Sequence, residues 1–167
     1  ENKKSPSGYL HAYCGLYPEH RLVRQATLET KRLKEPAYLN ELLSPQFRIE
    51  PDKYLLAILN AGNGAEFDQG RAAEKEVMFC GALIEELNTA QDQFLEAGIY
   101  PERTEIGTVA VLGATANYLA FKQVKAPILL LEIGADATQS FIVSAEGVQT
   151  SRPIPHGLAS MIPVVQT

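Results

Sequence analysis

A continuous apolar run in the last third of the chain constrains the fold more than any other feature. Ile128–Ile133 reads Ile-Leu-Leu-Leu-Glu-Ile, which is typical of a strand buried on both faces. A small-residue turn at 135–137 and a tight turn at Glu146-Gly147 follow it. The two following strands are predicted at Gln139–Ser144 and Val148–Ile154. The sequence therefore predicts a glycine-turned hairpin whose first strand lies in a core.

The rest of the chain alternates strand-like and helix-like segments. Further strands are predicted at Tyr9–Leu16, Arg21–Leu28, Tyr54–Leu59 and Glu76–Ala82. The clearest helix, Leu83–Ala97, has an acidic face and an apolar face that we expect to pack in the core rather than to bind a partner, and Gly98 is placed to end it. Two shorter helices are predicted, one from Pro36 to Pro45 and one at Ala114–Phe121. This alternation indicates a mixed α/β protein.

Charge and cysteine content narrow the class of protein. The net charge of −5 argues against nucleic acid as a partner, because phosphate binding needs a basic face. The longest apolar run, at 126–131, is too short to span a bilayer, so no membrane-spanning segment is predicted. Cys14 and Cys80 form no metal-binding motif and lie in apolar stretches, which favours buried thiols in a reducing compartment. We therefore expect a cytoplasmic protein.

The hairpin carries a family resemblance. The segment 129–157 reads LLLEIGADATQSFIVSAEGVQTSRPIPHG. It resembles the second phosphate-binding hairpin of actin-like ATPases, and within that superfamily it is most similar to the type IV pilus assembly protein PilM family. The order of elements upstream agrees, since strand Glu76–Ala82, helix Leu83–Ala97 and the segment Ala-Gly-Ile-Tyr-Pro at 97–101 follow the family's order.

The resemblance implies a fold and a domain division. The fold class would be α/β, a ribonuclease H-like/actin-like mixed sheet with an inserted small α+β subdomain. Residues 1–30 plus 104–167 would form a partial actin-like core, and residues 31–103 the insert. The family's first phosphate loop has no counterpart here, so we expect a fragment or a degenerate relative that does not hydrolyse ATP by itself.

The resemblance also implies a nucleotide-binding hairpin in the full-length protein, with ATP and Mg as cofactors. A glycine after an apolar strand lets the backbone approach a phosphate, and a carboxylate would hold the metal or its water. The residues implied are Glu132, Gly134, Ala135, Asp136 and Thr138. Glu132 replaces the family's Asp, and His156 replaces the first glycine of a Gly-Gly pair. For this chain alone we expect no cofactor, and no catalytic or metal-ligating residue is assigned.

The function implied is that of a cytoplasmic scaffold in a type IV pilus or type II secretion assembly platform, peripheral to the inner membrane. It would dock a peptide from an inner-membrane protein in the cleft between core and insert, with nucleotide state modulating the docking. Two alternatives stay open: a kinase or ATPase fragment of the same superfamily, and a degenerate interaction module without nucleotide binding. The sequence leaves the partner's identity and homo-oligomerisation open.

Overall fold

The computed structural model describes residues 8–29, 31–35, 37–68 and 75–165. The strands are β1 Leu10–Leu16, β2 Leu22–Thr27, β3 Tyr54–Asn60, β4 Glu76–Leu83, β5 Ile99–Ile106, β6 Ile128–Ile133, β7 Thr138–Ser144 and β8 Gly147–Ile154. The helices are α1 Tyr38–Glu41, α2 Ile84–Glu96, α3 Gly107–Phe121 and α4 Leu158–Val165. A π-helical turn, Leu42–Gln46, continues α1, and a 3-10 turn, Pro51–Lys53, precedes β3. The prediction of a mixed α/β protein is confirmed.

The described strands form three small sheets. Strands β1 and β5 pair in parallel. Strands β2, β4 and β3 form an antiparallel sheet with β4 in the centre. Strands β6, β7 and β8 form a second antiparallel sheet in chain order, which is the predicted hairpin with its third strand.

Strand β4 separates the two apolar cores. Its side chains alternate between the two faces of the sheet. Val77 and Phe79 pack with buried residues of β2, α1 and the π-helical turn. Met78 and Cys80 pack against α3 and β7. The central sheet is therefore covered on both sides, which explains why β4 is the most completely buried strand described.

Strand β5 and the start of α3 differ from the sequence interpretation. The prediction contains no strand at Ile99–Ile106, because Pro101 and three charged residues obscure any apolar alternation. Backbone pairing with β1 holds this strand, and most of its side chains are exposed. Helix α3 begins at Gly107 and not at Ala114. Its composition is apolar on all sides, so no helical periodicity marks its first turns.

The expected burial of β6 on both faces is wrong among the described residues. Strand β6 lies at the edge of its sheet and pairs with β7 alone. The side chains of Leu129 and Leu131 are 61% and 48% exposed. An apolar run indicates a strand that can be buried, but it does not show what covers the strand.

The structure bears differently on the predicted ends of the first helix and on the predicted boundaries of the insert. Pro45 does not end the helix but lies inside the π-helical turn, and Pro36 lies outside the described residues. The division at residues 30 and 103 stays a prediction. Strand β2 pairs with β4 of the predicted insert, and β5 runs across the second boundary.

Candidate functional site

A groove of about 760 Å³ opens between the central sheet, helix α2 and the β5–α3 segment. Its lining is largely apolar and includes Leu55, Ile84, Leu87, Phe94, Ile106 and Val109. Helix α2 supplies the apolar stripe that the sequence assigns to the core. In the structure α2 has no fully buried residue, and Leu87 and Phe94 line the groove. Part of the predicted core stripe is thus an accessible apolar surface.

The groove has an apolar wall and a polar rim. Leu55 on β3 and Ile84 at the start of α2 are 64% and 41% exposed, although both are large apolar side chains. Arg103 and Glu105 also line the groove, and Arg103 Nε donates to Glu105 Oε1 at 2.8 Å. Apolar walls with a few polar groups at the rim are the usual composition of a site that binds apolar side chains of a ligand.

Glu132, which the resemblance assigns to the nucleotide-binding hairpin of the full-length protein, lies in a network of side chains. Arg21 Nη2 donates to Glu132 Oε1 at 2.9 Å, and the Thr108 hydroxyl donates to the same carboxylate at 2.8 Å to Oε2 and 3.0 Å to Oε1. Arg21 Nε donates to Thr108 Oγ1 at 3.0 Å, and Nη1 donates to the Pro18 carbonyl at 2.9 Å. We call Arg21, Thr108 and Glu132 the carboxylate junction.

Gly134, Ala135 and Thr138 contact the segment that leads into α4. The Gly134 amide donates to the Ala137 carbonyl at 2.9 Å and closes the turn. The carbonyls of Gly134 and Ala135 accept the amides of Leu158 and Ala159, both at 2.9 Å. These two amides belong to the first turn of α4, where backbone N–H groups would otherwise be available to an anion.

The buried Thr138 hydroxyl donates to the His156 carbonyl at 2.8 Å. A Cβ added to Gly157 would collide with the Ala135 carbonyl, so the two segments touch at backbone distance. Asp136 lies exposed at the tip of the hairpin.

The predicted site residues therefore do not converge on one point. Glu132 is paired across the strands with Gln139, and Ile133 is paired with Thr138. Directly paired residues share a face and neighbouring residues alternate, so Glu132 and Thr138 lie on opposite faces of the hairpin.

Sequence reasoning missed the arginines that contact this hairpin. Arg24 Nη1 donates to Gln139 Oε1 at 2.5 Å, and burial lowers the pKa of the Arg24 guanidinium. The contacts of Arg21 and Arg24 join residues 111 and 115 positions apart. No local spacing in the sequence could have indicated them.

Other groups add little to the site chemistry. Burial raises the pKa of the Cys80 thiol to about 12, and both cysteines are free. Across the described residues, no group of three or more His, Cys, Asp or Glu side chains could hold a metal ion. Among the same residues, no helix is both long enough and apolar enough to cross a bilayer.

Comparison with solved structures identifies a similar fold. The chain is similar to a chain of the "PilM-PilN type IV pilus biogenesis complex", with a TM-score of 0.65 and 16% sequence identity. The similarity covers 93% of this chain and 45% of that one, so this chain spans less than half the length of its structural neighbour. No protein-family model and no curated protein matches the sequence. The comparison shows a PilM-like fold.

Proposed function

We propose that this chain belongs to a PilM-like, actin-like scaffold on the cytoplasmic side of a type IV pilus or type II secretion assembly platform. Its role would be to dock a short peptide from an inner-membrane partner in the groove beside α2. One observation carries the proposal: an accessible apolar groove lies within a fold similar to that of a chain from a two-protein pilus biogenesis complex.

The placement of the groove supports this role. Leu55 and Phe94 come from the predicted insert, whereas Ile106 and Val109 come from the predicted core. A peptide in the groove would contact both parts, which is the docking position that the sequence resemblance implies. Docking of apolar side chains into a preformed groove is a common mode of peptide recognition.

The proposed mechanism is binding and not turnover. In the alternative of an actin-like kinase or ATPase, Glu132 would have to exchange its present partners for a metal. The alternative of an interaction module without nucleotide binding is favoured by the engagement of both carboxylate oxygens of Glu132. Modulation of docking by nucleotide, which the sequence resemblance also implies, is therefore not part of this proposal.

Peptide binding can be measured directly on the full chain. Fluorescein-labelled peptides that tile the cytoplasmic segments of inner-membrane proteins of its own pilus or secretion machinery would be titrated and followed by anisotropy. Leu55→Asp places a charge on the apolar wall and should weaken binding by at least about tenfold. Phe121→Asp is the matched control, because Phe121 is 79% exposed and lies outside the groove. Failure of every peptide to bind, or equal binding by the Leu55 variant, would refute the proposal.

A further inference from the structure

In the carboxylate junction, Arg21 and Thr108 already bind the Glu132 carboxylate, which is the group that a metal-bound nucleotide would need. Thr108 is 2% exposed, and the side chains of Arg21 and Glu132 are 16% and 21% exposed. Both oxygens of Glu132 accept hydrogen bonds in this sheltered setting, one of them from a guanidinium. A divalent cation prefers carboxylate and water oxygens, and a guanidinium already at bonding distance repels it.

The other implied residues do not fit a metal-bound nucleotide either. The Gly134 amide and the first α4 amides, from Leu158 and Ala159, are already donated to carbonyls of the hairpin. Thr138 lies on the opposite face from Glu132 and donates to the His156 carbonyl. The contact of Gly157 with the Ala135 carbonyl leaves no space for a phosphate between these segments.

We propose that Arg21 takes the place of a metal cation as the counter-charge of Glu132, and that this end of the hairpin is a structural junction closed to Mg-nucleotide. The junction joins three segments: the loop before β2, the first turn of α3 through Thr108, and the end of β6. The Glu132 carboxylate reaches both Thr108 and Arg21, so shortening this side chain by one methylene in Glu132→Asp would withdraw the carboxylate from its partners. The inference does not depend on peptide docking, since Arg21, Thr108 and Glu132 are not among the residues that line the groove.

Thermal unfolding of the full chain tests the junction. Arg21→Met and Glu132→Asp should each lower the midpoint by about 4–8 °C, because each removes hydrogen bonds to a charged group. The midpoint shift of the double variant should be clearly smaller than the sum of the two single shifts, since both changes break the same network. Lys53→Met is the matched control, because Lys53 pairs with Glu50 on an exposed surface and should shift the midpoint little. An unchanged midpoint in Glu132→Asp, or two shifts that add fully, would overturn the proposal.

The closure to Mg-nucleotide is tested by the thermal shift of the same protein with millimolar Mg-ATP. No rise in the midpoint is expected, and Glu132→Gln should respond in the same way as the unaltered protein. A rise that persists in Glu132→Gln would place nucleotide away from the junction and would support its closure. A rise that disappears in Glu132→Gln would overturn it.

Discussion

The guanidinium of Arg21 and the carboxylate of Glu132 meet at 2.9 Å across 111 residues of sequence. Arg21 immediately precedes β2, and Glu132 is the penultimate residue of β6. The pair therefore ties a segment beside the central sheet to the predicted phosphate hairpin. It also gives Glu132 a structural partner inside the protein, which bears on every function that the hairpin resemblance implies.

The hydroxyl of Thr108 should contribute measurably to stability. Thr108→Val keeps the shape of the side chain but removes the donor to Glu132 and the acceptor for Arg21 Nε. We expect a loss of about 1–3 kcal/mol in the free energy of unfolding, because the network is sheltered and charged. Urea denaturation measures this loss. Thr89→Val is the control, since Thr89 is exposed on α2 and its hydroxyl donates to the Glu85 carbonyl one helical turn earlier, so a similar loss there would contradict the assignment.

Phe79 should be among the core positions at which substitution lowers the free energy of unfolding most. Its side chain is fully buried, and its ring meets Phe47 edge-on at 5.5 Å between centroids. Phe79→Ala should lower the free energy of unfolding by about 3–5 kcal/mol, since it leaves a cavity. Phe121→Ala, at a 79% exposed position, should change it by less than about 0.5 kcal/mol. Chemical denaturation of both variants checks the contrast, and equal losses would show that the core is assigned wrongly.

The two cysteines should differ in reactivity. With a pKa of about 12, Cys80 holds only about one thiolate in ten thousand at pH 8, and it is also shielded from reagent. Cys14 is half-buried on β1. Native protein should therefore react with a thiol reagent at Cys14 and stay unmodified at Cys80, whereas unfolded protein should react at both. Mass spectrometry of the labelled peptides locates the modification, and fast native labelling of Cys80 would contradict its burial.

The link between His20 and Glu86 should make stability depend on pH. The hydrogen bond from His20 Nδ1 to Glu86 Oε1, at 2.6 Å, is the largest cause of a raised pKa for His20. Because the folded pKa lies above the unfolded value, near 6.5, the stabilisation is fully present below that value and is lost as pH rises through the folded pKa.

The corresponding measurement is the melting temperature between pH 5.5 and pH 8. The melting temperature of the unaltered protein should exceed that of His20→Gln most at the acidic end of this range, and the two melting temperatures should converge towards the alkaline end. Glu86→Gln removes the partner carboxylate and should show the same convergence. Both side chains are partly exposed, so the effect should be small and should shrink with added salt. A difference in melting temperature that grows as pH rises would contradict the predicted direction of the pH dependence.

Local patterns in the sequence predict those elements whose periodicity or turns are strong. Ile128–Ile133 is predicted with the bounds that the structure has, and Gly98 ends α2 with a φ of 74° as its position indicates. Strand β5 is not predicted, because its backbone pairing with β1 makes it a strand, whereas its own side chains are mostly charged or exposed and show no strand pattern.

The candidate site is also hard to predict from the sequence, because contacts between residues far apart in the chain determine it. A hairpin motif indicates Glu132 and Gly134, but the partners of Glu132 come from a loop and a helix far away in sequence. The groove is likewise a product of tertiary arrangement. Leu87 and Phe94 form a helical stripe typical of core packing, and only the position of α2 over the central sheet leaves them accessible.

Hydrogen–deuterium exchange of the full chain with and without the bound peptide tests the central claim most directly. Docking in the groove predicts slower exchange in β3, in α2 and in β5, which supply its walls. Exchange in the β6–β7 hairpin should stay unchanged. Protection confined to that hairpin, or no protection around Leu55 and Ile84 at saturating peptide, would contradict the assignment of the groove as the docking site.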